Sequence, residues 1–266
     1  MKIRKNKIKE QFRKGHNTFG IWNAIPNTYA AEICGGSGFD WVLVDAEHAP
    51  YDLTSILHTI QALASHDCGI MVRPPSHDPA FIKKLLDIGV QSFLVPLVET
   101  AEQAKQLVQA IHYPPKGIRG VGAAESRAAQ WARVEDYYEV VADELCLMVQ
   151  VETKKGIDHL DAICQVDGID SVFIGPADLA ASMGMLGRST HEDIRKVVSA
   201  ALSKISASGK VAGTLALTDE VIEDYLAAGA SFIGIGIDSE MLARTSEALS
   251  SKWVQQSTPT SNIEMY

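Results

Sequence analysis

The stretch Phe39-Asp40-Trp41-Val42-Leu43-Val44-Asp45-Ala46-Glu47-His48-Ala49-Pro50 decides the fold. An apolar run of buried-strand type leads straight into two carboxylates and a histidine, and a proline stops it. The pattern recurs at Met71-Val72-Arg73-Pro74, Met148-Val149-Gln150-Val151-Glu152 and Phe173-Ile174-Gly175-Pro176-Ala177-Asp178. Each apolar run delivers a polar or charged group at its C-terminal end. A parallel (β/α)₈ barrel assembles an active site in this way.

Outward from these segments, short apolar runs alternate with stretches of helical period along the chain. Strands are expected near 18–22, 40–44, 69–73, 91–96, 145–150, 170–174, 210–215 and 231–236. Helices are expected near 28–37, 53–65, 78–88, 100–112, 154–164, 191–208, 218–228 and 238–250. Strand–helix alternation implies parallel strands with right-handed crossovers. Eight units favour a closed α/β barrel of the TIM type. The alternative is an open doubly wound sheet, but no G-x-G-x-x-G follows the first strand. The 266 residues suit one barrel, which takes roughly 250. The expected organisation is one barrel domain over 1–253, opened by a basic helix, and a loose polar tail over 254–266. The connection from Tyr113 to Arg133 is long enough to suggest a role in function.

A net charge of −9 gives no general attraction to nucleic acid or an anionic membrane. The basic head (Lys2, Arg4, Lys5, Lys7, Lys9, Arg13 and Lys14 against Glu10) reads as a solvated helix before the first strand, with an anion-binding arm as the alternative. It lacks the apolar core of a signal peptide, and no apolar run reaches membrane-span length. Cys34, Cys68, Cys146 and Cys164 fit no zinc or redox spacing. They read as reduced core residues of a cytoplasmic protein.

Glu152 and Asp178 follow adjacent strands, so their carboxylates can converge at one end of the barrel. Such a pair suits a hard divalent cation, Mg²⁺ or Mn²⁺, with the remaining ligand positions left to water and substrate. Helix capping is the competing role for both. Arg73, beside two prolines, can pair a substrate carboxylate or a developing oxyanion. It can equally form a structural ion pair with Asp45 or Glu47. His48, close to both carboxylates, is a candidate general base. Gln150 shares the inward face with Glu152 and needs a polar partner. No lysine points inward from the sixth strand, so a Schiff base is disfavoured. Gly213, Gly234 and Gly236 fit either a phosphate loop or close strand packing.

Six segments in order closely resemble the HpcH/HpaI aldolase family: 39–50, Val72-Arg73-Pro74, Leu86-Asp87-x-Gly89, Tyr113-Pro114-Pro115-x-Gly117-x-Arg119-Gly120, Val149 to Thr153 and Phe173 to Leu179. The resemblance runs from about Thr18 to Leu249. It implies a metal-dependent (class II) pyruvate aldolase on a barrel of the phosphoenolpyruvate/pyruvate superfamily. Glu152 and Asp178 then match ligands of a divalent metal (Mg²⁺, Mn²⁺ or Co²⁺). Arg73 matches the arginine that stabilises the enolate, and His48 matches the general base. Asp87 matches a carboxylate that raises the basicity of that histidine. Gln150, the backbone of Ala177, Arg73 and Asp178 match substrate contacts, with Asp45 and Glu47 in support. The implied reaction is reversible cleavage of a 4-hydroxy-2-oxo acid to pyruvate and an aldehyde, the aldehyde being met by the Arg119–Arg127 stretch. The implied assembly is a homohexamer with the last helix exchanged between subunits. A CoA-ester lyase of the citrate-lyase β type and a non-catalytic oligomeric barrel are the alternatives. The former wants a basic groove near the barrel top, and the latter predicts loss of Arg73, Glu152 or Asp178.

Overall fold

The computed structural model describes residues 1–254. The expected polar tail, apart from Val254, lies outside them. Eight strands close in sequence order into an all-parallel barrel. The elements are α1 (Lys7–Lys14), β1 (Thr18–Asn23), α2 (Thr28–Gly36), β2 (Trp41–Asp45), α3 (Leu53–Leu63), β3 (Gly69–Arg73), α4 (Pro79–Ile88) and β4 (Ser92–Val95). There follow α5 (Ala101–Ile111), α6 (Tyr137–Val140), β5 (Cys146–Val151), α7 (Lys154–Asp158), α8 (Leu160–Cys164), β6 (Ser171–Ile174) and α9 (Pro176–Ser182). The chain continues through α10 (Glu192–Ala207), β7 (Val211–Leu215), α11 (Asp219–Ala227), β8 (Phe232–Ile237) and α12 (Asp238–Trp253).

Side chains alternate along each strand and so build two separate cores. Val42, Val44, Val72, Val149, Val172 and Ile233 face the surrounding helices. Trp22, Trp41, Leu43, Met71, Leu94, Met148, Phe173 and Phe232 fill the barrel itself. Trp41 stacks on Phe232 at 4.0 Å between ring centroids, so the interior is packed solid. The glycines in the strands make room for these rings. A Cβ at Gly20 would lie 2.0 Å from the Trp41 ring, and one at Gly234 would lie 2.2 Å from that of Trp22. Close packing therefore accounts for Gly234, and likewise for Gly213, whose Cβ would meet Phe173 at 2.8 Å.

The basic head is not a freely solvated helix. Asn6 caps α1 by accepting from the Lys9 amide at 3.1 Å. The apolar face of α1 seals the end of the barrel where the strands begin. Ile8 joins the inner core, and Phe12 meets Phe232 edge-on at 5.6 Å. The charges fasten this plug to the rim. Lys5 pairs with Glu144 at 2.5 Å and Lys9 with Asp170 at 3.3 Å.

The expected helix over 154–164 breaks at His159, whose backbone leaves the helical region (φ −101°, ψ 7°), so α7 and α8 are separate. Asp178, for which helix capping is the competing role, lies inside the first turn of α9, whose N-cap is Gly175. In α12 only Asp238 is buried. No helix among the described residues is long and apolar enough to cross a membrane.

Candidate active site

The parity that fills the barrel also builds its open end. Trp41, Leu43 and Asp45 share one face of β2, and Gly69, Met71 and Arg73 share one face of β3. The register pairs Asp45 with Arg73 side by side at the strand ends. Arg73 donates from Nε to Asp45 Oδ1 at 2.8 Å and from Nη2 to Oδ2 at 2.7 Å. This two-pronged contact is the strong form of an arginine–carboxylate pair. Burial works against the charge on Arg73, but the hydrogen bonds and charge of Asp45, then of Glu47, outweigh it and raise its pKa. Nη1 takes no part in either bond and remains available to a ligand.

Glu47 Oε2 lies 3.1 Å from Arg73 Nε, yet that N–H points at Asp45, so the oxygen receives no hydrogen bond. Burial raises the Glu47 pKa against the pull of Arg73 and His48, and Asp45 and Asp178 push the same way as burial.

Glu152 follows β5 directly and is almost completely buried. Its Oε1 accepts from the Leu97 amide at 2.7 Å, and its Oε2 accepts from the Gln150 side-chain amide. Leu97 reaches this position with a φ of 56°, a left-handed conformation uncommon for leucine. A Cβ at Gly175 would lie 2.5 Å from Glu152 Oε2, so only glycine fits beside the carboxylate. Burial pushes the Glu152 carboxyl up to about 7, the hydrogen bonds from Gln150 and Leu97 oppose this, and the charges of Asp178 and Glu47 add to it. Gln150 Oε1 is buried without a donor.

The mouth thus gathers Asp45, Glu47 and Glu152 around one guanidinium, with Asp178 close enough to Glu47 and Glu152 to act on both. A divalent cation fits this donor set. Negative charge is in excess, Glu152 and the exposed Asp178 offer hard oxygens, and buried oxygens of Glu47 and Gln150 lack partners. No group of three or more His, Cys, Asp or Glu among the described residues has metal-binding geometry. A cation here would complete its shell with water and substrate oxygens.

His48 stands at the rim, 64% exposed, with Nε2 3.8 Å from Glu47 Oε2. Ala177 is exposed in the first turn of α9 beside Asp178. Asp87 is not brought to His48 within this chain. It lies near the end of α4, where its Oδ1 accepts from Arg119 Nη2 at 3.0 Å and its carbonyl from the Ala128 amide at 3.0 Å. The Arg119–Arg127 stretch packs there too. Arg119 lies over the Tyr113 ring at 4.4 Å, and Arg127 Nη1 donates to the Ile88 carbonyl at 2.7 Å. That region adjoins the sealed end of the barrel, because helices run back from the mouth. Sequence reasoning missed Leu97 and Gly175. The Gly175-Pro176 step signals a turn, but nothing near Leu97 announces a backbone donor to a residue 55 positions away.

A family model described as HpcH/HpaI aldolase/citrate lyase matches residues 18–245. The chain is 48% identical over 252 residues to hydroxypyruvate/pyruvate aldolase of Deinococcus radiodurans, covering 95% of this chain and 91% of that protein. It is 42% identical over 253 residues to 4-hydroxy-2-oxo-heptane-1,7-dioate aldolase of Escherichia coli, covering 95% and 97%. Among solved structures, an HpcH/HpaI aldolase/citrate lyase family protein from Burkholderia cenocepacia J2315 superposes with a TM-score of 0.88 at 30% identity, covering 93% of this chain and 98% of that one.

Proposed function

The chain belongs to the HpcH/HpaI aldolase/citrate lyase family, and from that membership we propose a residue-level account of its chemistry. The protein is an aldolase, a carbon–carbon lyase. Its substrate is a 4-hydroxy-2-oxo acid, cleaved reversibly to pyruvate and an aldehyde. The observation that carries the account is Arg73, locked at Nε and Nη2 by Asp45 with Nη1 unused at the barrel mouth.

Glu152 and Asp178 would hold a divalent cation (Mg²⁺, Mn²⁺ or Co²⁺), which would supply Lewis-acid attraction for substrate oxygens. Arg73 Nη1 donates to the keto oxygen, where negative charge grows as the C3–C4 bond breaks. His48 takes the proton of the C4 hydroxyl. The electron pair of the C3–C4 bond passes into the enolate of pyruvate, and the C4 carbon leaves as the aldehyde. Protonation at C3 completes pyruvate. Gln150 and the backbone of Ala177 border the space the oxo acid occupies.

Chelation by EDTA should abolish cleavage, and Mn²⁺, Co²⁺ or Mg²⁺ should restore it, read as pyruvate release from a panel of 4-hydroxy-2-oxo acids. Full activity in chelator, or capture of a substrate adduct by borohydride, would overturn the account.

The working unit is a homo-oligomer, on this reading a hexamer with α12 exchanged between subunits. Leu249 and Trp253 of α12 are 63% and 74% exposed in the single chain, which supports a neighbour covering them. Support of His48 by Asp87 would then have to come from another subunit. The four cysteines are buried and unpaired, which supports the cytoplasm as its compartment.

A further inference from the structure

The loop that carries His48 is held at both ends, by different groups. On the near side, the Ala46 amide donates to the Arg73 carbonyl at 2.9 Å and the Glu47 amide to Asp45 Oδ1 at 3.2 Å. On the far side the loop is gripped at Tyr51, three residues beyond His48 and just past the rigid Pro50. The Tyr51 hydroxyl lies 2.7 Å from Asn23 Oδ1 and 2.9 Å from the Ile25 carbonyl. Asn23 is fully buried and donates from Nδ2 to Asp238 Oδ2 at 2.7 Å. Asp238 also accepts from the amides of Ala24 at 2.8 Å, Ile25 at 3.2 Å and Ser239 at 2.7 Å.

The direction of this relay is fixed by its chemistry. Asn23 must turn its amide nitrogen to the carboxylate and its carbonyl to the phenol. The reverse would set one acceptor against another. Burial raises the Tyr51 pKa, so the phenol keeps its proton through the neutral range. Removing the Tyr51 oxygen would break the loop's hydrogen-bonded tie to Asn23 and Ile25 and leave only the packing of the ring against the core.

We infer that Tyr51, Asn23 and Asp238 position the His48 loop, so that proton removal from the C4 hydroxyl depends on a carboxylate at the start of α12. The inference rests on His48 being the base of the proposed reaction. Tyr51 and Asp238 are positioning residues that touch no reacting atom. A base displaced by a fraction of an ångström loses much of its effect, because proton transfer requires close alignment.

The test compares two reactions of the same mouth. Cleavage of a 4-hydroxy-2-oxo acid needs the base. Decarboxylation of oxaloacetate loses CO₂ to the same enolate and has no hydroxyl to deprotonate. In the metal-loaded protein, Tyr51→Phe should lower kcat for cleavage about tenfold with KM little changed. Decarboxylation should hold within a factor of about two. Asp238→Asn should show the same selectivity. Tyr51→Phe added to His48→Ala should cause no further loss of cleavage, since both act through one group. Equal losses in the two reactions for Tyr51→Phe, or additive losses in the double variant, would overturn the inference. A different result exposes the premise: His48→Ala impairing both reactions equally removes His48 as the base.

Discussion

The two ends of the barrel are built from the same strands and treat polar groups in opposite ways. At the sealed end, Asn6 gives its amide to Glu144 at 2.8 Å and its side-chain NH₂ to Ser92 Oγ at 2.9 Å and the Glu144 carbonyl at 2.8 Å. Lysines lie against Glu144 and Asp170. At the open end, Asp45, Glu47 and Glu152 face one arginine and Asp178 stands nearby. Among the described residues, the buried carboxylate and amide oxygens with no donor are Glu47 Oε2 and Gln150 Oε1, both at the mouth. A buried acceptor without a donor is costly. At and beside the sealed end Trp41 Nε1, Tyr113 Oη and Arg119 Nε and Nη1 also lack partners, but the carboxylate and amide oxygens left without donors lie at the open end, where a ligand or cation could reach them. The contrast predicts that substitutions at one end trade stability for function, while those at the other affect stability alone.

Glu152→Gln should give the largest effect. Cleavage should fall about 10³-fold, the scale of losing several kcal/mol of charge stabilisation. The same change should raise the melting temperature measured in EDTA near pH 8. The Glu152 pKa is raised from 4.5 to about 7, so ionising it subtracts stability as pH climbs through that interval. A glutamine avoids this cost, and Gln150 can rotate so that its unpartnered oxygen accepts from the new NH₂. A variant that is both inactive and less stable would break the contrast at the open end.

Arg73→Ala should lower cleavage and oxaloacetate decarboxylation alike, by about 10²–10³-fold in kcat. Lysine should rescue poorly, since it lacks the planar fork that Asp45 grips. Intact decarboxylation in Arg73→Ala would remove the arginine from enolate stabilisation.

Ile8→Ala probes the sealed end. It should cost about 2–4 kcal/mol in denaturant unfolding by leaving a cavity beside Trp41 and Gly69. Its kcat/KM at saturating metal should match the parent. A matched loss of activity would show that the plug and the mouth are coupled.

Acid should produce the smallest effect. Burial alone would raise the Glu144 pKa, but Lys5 and the Asn6 amide lower it from its ordinary 4.5. A carboxyl with a depressed folded pKa adds stability above its unfolded pKa and loses it as pH falls. Hydrogen exchange in α1 should therefore speed up below about pH 4.5, and Glu144→Gln should abolish that dependence at a cost of about 1 kcal/mol or less.

Much of this was legible in the sequence. All eight strands fall within a residue of their expected limits, because runs buried on both sides carry a strong local signal. Parity put Gln150 and Glu152 on one inward face, and the ends of two other apolar runs put Asp45 and Arg73 at the same end of the barrel, where the structure has all four. What escaped was whatever depends on a partner far along the chain. The purpose of α1 shows only when Ile8 meets Trp41 and Gly69. The loop after Tyr113 could be recognised as long, but its folding back onto the end of α4 could not. Asp87 shows the limit of a motif. Its position matches the resemblance, yet within this chain the carboxylate pairs with Arg119 rather than with His48, and nothing in its own sequence announced that partner.

The aromatic filling of the barrel has an optical consequence. Trp22 and Trp41 sit 5.7 Å apart at an interplanar angle of 69°, inside the core, while Trp131 and, in the single chain, Trp253 are exposed. Two indoles so close and inclined exchange excitation, so far-ultraviolet circular dichroism carries their couplet. The Arg73 guanidinium lies 5.9 Å from the centre of the Trp22 ring. A charge that close shifts the energy of the indole excited state. An anionic ligand settling against Arg73 would alter that field, and the blue edge of the emission, which belongs to the buried pair, would move with it. The protein therefore carries its own binding indicator, readable without a dye or a coupled assay.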